Sequence, residues 1–515
     1  MWSRLQTFIF AVACVIAGGG ARADDPPEAL VAPLEGHRDL VAEHERLALA
    51  FPRAFAQWRP VLKAETPTGP RLTREVMGYL PYWSYSASSP YVPLRWDLMS
   101  ILAWFSVEMD ATGRATNLRG WGGSTTGRIV EEAHRHGVKV IVTVTNFDDD
   151  AIAEIVGSET NRQRAIETCL SLIDTHAADG INIDFEFVPR VAREGFVTFM
   201  ADLKRAVAAR RPNGHDGHVS LAGPAVDWNG AYDYRALLEQ TDGIMVMAYG
   251  YHWSGGQPGP TAPLEVGELW RSRSIAWTAN DYERYGGTEN MHKVLIGLPW
   301  YGRSWQVADE SVPGTRTGAG GARFYRIAEP EAQRNGKRFE PISQTAYYHM
   351  RTDGNLYQVW YDDEASLTAK IAWVDDRGLG GIGIWALGYE GDGPDLWDAI
   401  DVTIGPAGPD WVEPSPEPVP EAVVEEVAEP AAEAGPEPMG EAVAEPIPGD
   451  VGGDDASPSG LDVGGDAAPG VFAGQPGRRV ELRGVSADDG CGGGAGVGFG
   501  SVVLAAWFLV RRRCC

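Results

Sequence analysis

The segment Asp179-Gly180-Ile181-Asn182-Ile183-Asp184-Phe185-Glu186 places three carboxylates and an amide within eight residues. From Ile181 onward apolar and polar residues alternate, the period of a β-strand, whose successive side chains point to opposite faces. Asn182, Asp184 and Glu186 then share one face, and Ile181, Ile183 and Phe185 the other. Two carboxylates on neighbouring positions of one face disfavour each other's ionisation, so a proton is retained near neutral pH. A general acid needs such a proton. In this way Asp184 is expected to raise the pKa of Glu186. The competing reading is a polar cluster satisfied inside the fold with no reaction, which is costly unless every group finds a partner.

These residues require a scaffold that aims a strand end at substrate. Between about Glu75 and Ile404, eight β-rich runs alternate with helical patterns: Val76–Leu80, Met99–Ser106, Val138–Thr145, Ile181–Phe187, His218–Gly223, Gly243–Tyr249, Lys293–Leu298 and Gly381–Ala386. Several are almost wholly apolar, as strands covered on both faces are. Amphipathic helices fit between them, at Gly127–His136 and Asn161–His176 for example, and Gly137 suits the C′ position closing the first. The pattern predicts an α/β fold, a (β/α)8 TIM barrel over residues 73–404. Spare length around Val307–Tyr361 predicts a small α+β insertion between strands seven and eight. Glu186 falls at the C-terminal end of the fourth strand, the face where such barrels carry their active sites. Residues 24–72 read as a helical leader, with one or two helices over Glu28–Trp58 and no function assigned.

The acidic segment resembles the D-x-x-D-x-D-x-E signature of family 18 glycoside hydrolases, with Asn182 where most chitinases have Asp. Its Gly-Ile-Asn-Ile-Asp-x-Glu form is similar to the spore-lytic peptidoglycan glucosaminidases and the chitobiases of that family. Gly78–Trp83, Met247–Tyr249, Gly297–Arg303 and Gly380–Trp385 agree with the same family at strands one, six, seven and eight. The resemblance covers roughly residues 75–402. It implies retaining, substrate-assisted hydrolysis of β-linked N-acetylglucosamine-containing glycan, peptidoglycan or chitin, without metal or other cofactor. By the same resemblance Glu186 protonates the leaving oxygen, Asp184 orients the acetamido group and stabilises the oxazolinium, and Tyr249 holds the acetamido oxygen. Trp385 is the implied floor of the sugar site, and Asn182, Asp179, Tyr79, Met247, Tyr301 and Arg303 are further substrate-binding candidates. The run Tyr251–Gly256 resembles the cortex-lytic branch. Two departures stand out. Asn182 shortens the carboxylate relay, and Gly250 follows Tyr249 where most relatives have Asp, with Asp227 a candidate substitute. Gly250 keeps open a second reading, a catalytically weak or inactive lectin-like barrel.

The ends of the chain read as addresses. Arg4, an apolar run from Phe8 to Ala17 and Ala21-Arg22-Ala23 describe a signal peptide over residues 1–23. The chain carries a net charge of −27, and sixteen acids with no Lys or Arg lie between Asp410 and Asp466, leaving −11 elsewhere. That segment belongs to a Pro/Glu/Ala/Gly-rich linker over 405–489, which lacks the apolar content to fold. The remaining acidity argues against nucleic acid as a partner. Of the five cysteines only Cys169 falls in the barrel, so no disulfide is expected there. Residues 490–515 open on Gly490-Cys491-Gly492, continue as an apolar run to Val510 and end on Arg511-Arg512-Arg513. They resemble a myxobacterial-type C-terminal sorting tail; a plain tail anchor is the alternative. The expectation is a monomeric enzyme, exported and held at the cell envelope through this tail, the only membrane-associated part, or released from it into the medium. Deletion of residues 490–515 is then expected to release soluble, active protein. Fractionation of cells and medium checks this, and intact protein in the cytoplasm would overturn it.

Overall fold

The computed structural model describes residues 37–50, 72–84, 94–270 and 273–405; the readings on residues 1–23 and 406–515 lie outside them. In chain order the strands are β1 (Glu75–Pro81), β2 (Ile101–Met109), β3 (Ala115–Asn117), β4 (Lys139–Asn146), β5 (Gly180–Phe185), β6 (His218–Pro224) and β7 (Gly243–Met247). They continue with β8 (Val294–Pro299), β9 (Tyr301–Val307), β10 (Gly321–Phe324), β11 (Arg338–Glu340), β12 (Thr345–Thr352), β13 (Asn355–Tyr361) and β14 (Gly381–Trp385). β1, β2, β4, β5, β6, β7, β8 and β14 pair in parallel in that order, and β14 returns to β1. The sheet is a closed eight-stranded barrel with helices outside, as the alternating pattern predicts.

The parity argument holds at β5. Phe185 stacks on Phe199 at 5.8 Å and on Phe196 at 6.2 Å, both on the helix Arg193–Arg210. The opposite face of β5 looks into the barrel. Helix starts are fixed by short polar side chains accepting from orphan amides: Asp148 from Ala151 N–H at 2.9 Å, Ser158 from Asn161 N–H at 3.3 Å, Asp363 from Ser366 N–H at 3.0 Å. Gly137, at φ +71°, takes the left-handed turn after the helix Ser124–Arg135. Cys169 is buried as a free thiol.

The insertion differs in extent from the expectation. It begins at Tyr301, not near Val307, because the chain leaves the barrel at Pro299 and enters an antiparallel sheet of order β10-β9-β13-β12-β11. Tyr301 and Arg303, read as part of the seventh barrel strand, therefore lie on β9, the insertion's first strand. A second apolar core of Trp270, Trp305, Val307, Leu356 and Trp360 stabilises this unit. The leader supplies one described helix, α1 (His37–Ala50).

Asp179 stands just before β5, at the end of the barrel opposite Glu186. Seven residues of strand separate them, roughly 23 Å. Its oxygens accept from Val140 N–H at 2.7 Å and Asn213 Nδ2 at 2.6 Å, and pair with His134 Nε2 at 2.8 Å. Asp179 thus ties the start of β5 to β4, to the helix Ser124–Arg135 and to the turn Pro212–Gly214. Burial pushes its carboxyl up, but the hydrogen bonds from His134, Val140 and Asn213 outweigh this and hold it low. His134 is raised, mainly by the hydrogen bond to Asp179. A lowered Asp stabilises above its unfolded pKa of about 4, and a raised His below its unfolded pKa of about 6.5. Asp179→Asn is therefore expected to cost about 1–3 kcal/mol, with the deficit largest between about pH 4 and 6.5 and smaller once the pH passes the raised His134 pKa. Urea denaturation at acidic and alkaline pH checks this; a deficit independent of pH would refute the ion-pair account.

Candidate active site

Asn182, Asp184 and Glu186 are all buried and stack up the inner face of β5. At the lowest level, Asn182 accepts from Tyr79 Oη at 3.0 Å and donates to Ser220 Oγ at 3.0 Å. Its amide thereby links β1, β5 and β6. Asp184 lies one pleat higher, level with Thr145 of β4, whose hydroxyl bonds Ser106 at 3.2 Å. Glu186 follows just beyond the strand, where its backbone N–H donates to Asn146 O at 3.1 Å.

Burial is the main cause that holds Asp184 well above the usual carboxylate range, and the neighbouring charge of Glu186 adds to it. The sequence reading expected Asp184 to raise Glu186; in the structure Asp184 is itself held up, with burial ahead of the charge of Glu186. The chemical consequence survives, because a buried pair of this kind ionises in two steps and keeps one shared proton after the first. Tyr249 and Tyr79 are both held neutral, first by burial and then by nearby tyrosines or carboxylates. A neutral phenol at these positions can donate a hydrogen bond.

Asp184, Glu186, Tyr79, Met247, Tyr249 and Trp385 line one cavity at the C-terminal mouth. Trp385, the last residue of β14, packs edge-on against Phe105 at 4.7 Å and tilted against Tyr79 at 5.8 Å. Seven of the ten candidates thus converge once Asn182 is counted beneath the carboxylates. Asp179 is not brought there. Tyr301 and Arg303 lie nearby but face helix α1: Tyr301 meets the His44 ring at 4.5 Å, and Arg303 Nη1 lies 3.2 Å from Glu43.

Asp227 is buried, and its two oxygens accept from Ala231 N–H and Tyr232 N–H at 2.9 Å each. Both are committed to shaping that loop, so Asp227 does not replace the missing carboxylate at Gly250. Gly250 itself sits at φ +77° with open space where a Cβ would be. Three contributors escaped the sequence reading. Phe105 completes the aromatic wall. Tyr232 reaches back to donate to Phe185 O at 2.7 Å, bracing the strand end that carries Glu186. Val41 of α1 closes the cavity from outside. None carries a local signal, because each is an apolar or aromatic residue in a segment whose placement depends on the closed barrel. Among the described residues, no group of three or more His, Cys, Asp or Glu side chains is placed to hold a metal ion.

The chain belongs to glycosyl hydrolases family 18, whose model matches residues 75–390. Among curated proteins it is 27% identical over 276 residues to the glycosylase YdhD of Bacillus subtilis, covering 50% of this chain and 60% of that one. It is 24% identical over 268 residues to the cortical fragment-lytic enzyme of Bacillus subtilis, covering 48% and 57%. The chain thus spans less than two thirds of the length of these relatives. In fold it is similar to the chitinase of Cycas revoluta solved with (GlcNAc)3, with a TM-score of 0.57, 21% identity, and coverage of 64% of this chain and 99% of that one.

Proposed function

We propose that the protein is a retaining glycosidase of β-linked N-acetylglucosamine-containing glycan, with Glu186 as general acid. The observation that carries this is the buried Asp184–Glu186 pair at the barrel mouth, ringed by Tyr79, Met247, Tyr249 and Trp385. A site built from one shared proton, two neutral phenols and an aromatic wall suits a neutral sugar carrying an acetamido group. Glu186 gives its proton to the leaving glycosidic oxygen. The substrate's acetamido oxygen attacks the anomeric carbon from the opposite face, since the family's chemistry departs from the two-carboxylate scheme. Asp184 accepts the acetamido N–H and balances the positive charge of the oxazolinium. Tyr249 donates to the acetamido oxygen. Water then opens the ring, with Glu186 taking its proton.

Asn182 and the relation to the cortical fragment-lytic enzyme favour peptidoglycan as the glycan, with chitin the other substrate of this class. Gly250 supports a slower enzyme: the position following Tyr249 offers no carboxylate, and Asp227 is already bound to backbone. The signal-like start and the arginine-ended apolar tail support an exported, envelope-held protein. Among the described residues no helix is long and apolar enough to cross a membrane.

Glu186→Gln is expected to lower turnover by ~10²–10⁴-fold while leaving oligosaccharide affinity within a few-fold, measured by product release and calorimetry. Wild-type turnover in that variant would remove Glu186 from the mechanism. With wild-type protein, proton NMR of the earliest product of a β-linked substrate is expected to show the β-anomer; an initial α-anomer would overturn the double displacement.

A further inference from the structure

Helix α1 lies across the mouth of the candidate active site. Leu40, Val41, His44, Leu47 and Ala48 recur at the spacing of one helical face, and that face is turned to the barrel core. Between Val41 and the carboxylates the remaining cavity is about 10 Å³. That is room for no more than one water molecule, whereas pockets for small ligands measure roughly 300–1,000 Å³. His44 is wholly buried. Its ring lies 4.5 Å from Tyr301, 5.3 Å from Tyr389 and 5.4 Å from Phe324, and its Nδ1 accepts from the Trp385 indole at 3.3 Å. Glu43 pairs with Arg303 at 3.2 Å and accepts from Ala322 N–H at 2.7 Å.

The geometry points to α1 as an intramolecular plug: the helix fills the acetamido-sugar site and must leave before any glycan can bind. This rests on the glycan reading of the cleft. The helix takes up the groups that a sugar there would use. The Trp385 indole N–H is spent on His44, the Arg303 guanidinium on Glu43, and the space over Asp184 and Glu186 is closed by Val41. The opposite face of α1 stays outside, where Asp39, Ala42, Arg46 and Leu49 are exposed. At 14 residues the helix is near the lower limit of independent stability in water, so its folding is tied to its seat. Twenty-one residues, 51–71, separate α1 from the segment leading into β1. The enzyme is therefore held off by its own leader, and removal or displacement of residues 37–50 is the activating event.

The test uses the full chain with a recognition site for a sequence-specific protease replacing residues 58–64, carrying Glu186→Gln so that binding is read without hydrolysis. Binding of chitotetraose is measured before cutting, after cutting with the N-terminal fragment washed away, and in uncut protein carrying Glu43→Ala and His44→Ala. The expected result is a Kd roughly tenfold or more weaker in the uncut parent than in the other two, as for a site open only a small fraction of the time. A synthetic peptide of residues 37–50 is expected to bind the cut protein and compete with the sugar; the same peptide with the two alanines is expected not to. Equal Kd values in all three forms, with no competition by the peptide, would overturn the plug. Chitotetraose binding to none of them would sink the glycan reading instead. In that case direct titration of the peptide still decides whether α1 seats in the cleft: saturable binding abolished by the two alanines supports it, and no binding overturns it.

Discussion

Burying Asp184 and Glu186 on one strand face is the constraint around which the barrel mouth is organised. Burial, with the neighbouring charge of Glu186 adding to it, holds Asp184 above the usual carboxylate range, so the pair retains a proton. That makes the pair a reservoir for acid catalysis and also makes it demanding of its surroundings. Asn182 beneath is oriented by Tyr79 and Ser220. Tyr232 braces the carbonyl of Phe185 just ahead of Glu186, and Phe185 itself is clamped by two phenylalanines of the next helix. Polar groups below, a hydrogen bond behind and aromatic stacking outside all act on one short strand. With Asp at position 182 a third carboxylate would join the column; the amide ends the chain of charge at two.

The departure at Gly250 has a structural logic of its own. With φ at +77°, the backbone after Tyr249 takes a conformation that side chains with a Cβ rarely adopt. The space beside it is open rather than filled by a substitute group. Asp227 is near in sequence terms to the cleft but is consumed in forming its own loop. In the proposed reaction, polarisation of the acetamido group then rests on Tyr249 and Asp184.

Helix α1 alters how the other cleft residues are understood. Tyr301, Arg303 and Trp385, read from the sequence as substrate-binding candidates, each contact the leader helix here. The insertion contributes to this seat through β9 and β10, so the wall that would grip a glycan grips the helix. A binding surface with mixed aromatic and charged character serves both occupants. The arrangement joins two parts of the chain that composition alone would treat as unrelated, a short amphipathic leader and a catalytic barrel.

The sequence by itself determined the class of fold and the polar column of β5. Strand parity is a local property: once Ile181, Ile183 and Phe185 are apolar, Asn182, Asp184 and Glu186 must face the other way. The turn at Gly137 was legible because it too is local. What the sequence left open involves groups brought together by closure of the barrel. The tertiary structure decided how deeply Asp184 is buried, since depth is set by the stacking of strands. It placed Asp179 at the opposite mouth, a matter of where along the strand the cleft opens. It moved Tyr301 and Arg303 onto the insertion, because the break at Pro299 and Trp300 begins a second sheet rather than ending a loop. Above all, it put α1 in the cleft. An amphipathic helix announces only that one of its faces will be buried, and what buries it is fixed by shape complementarity between segments hundreds of residues apart.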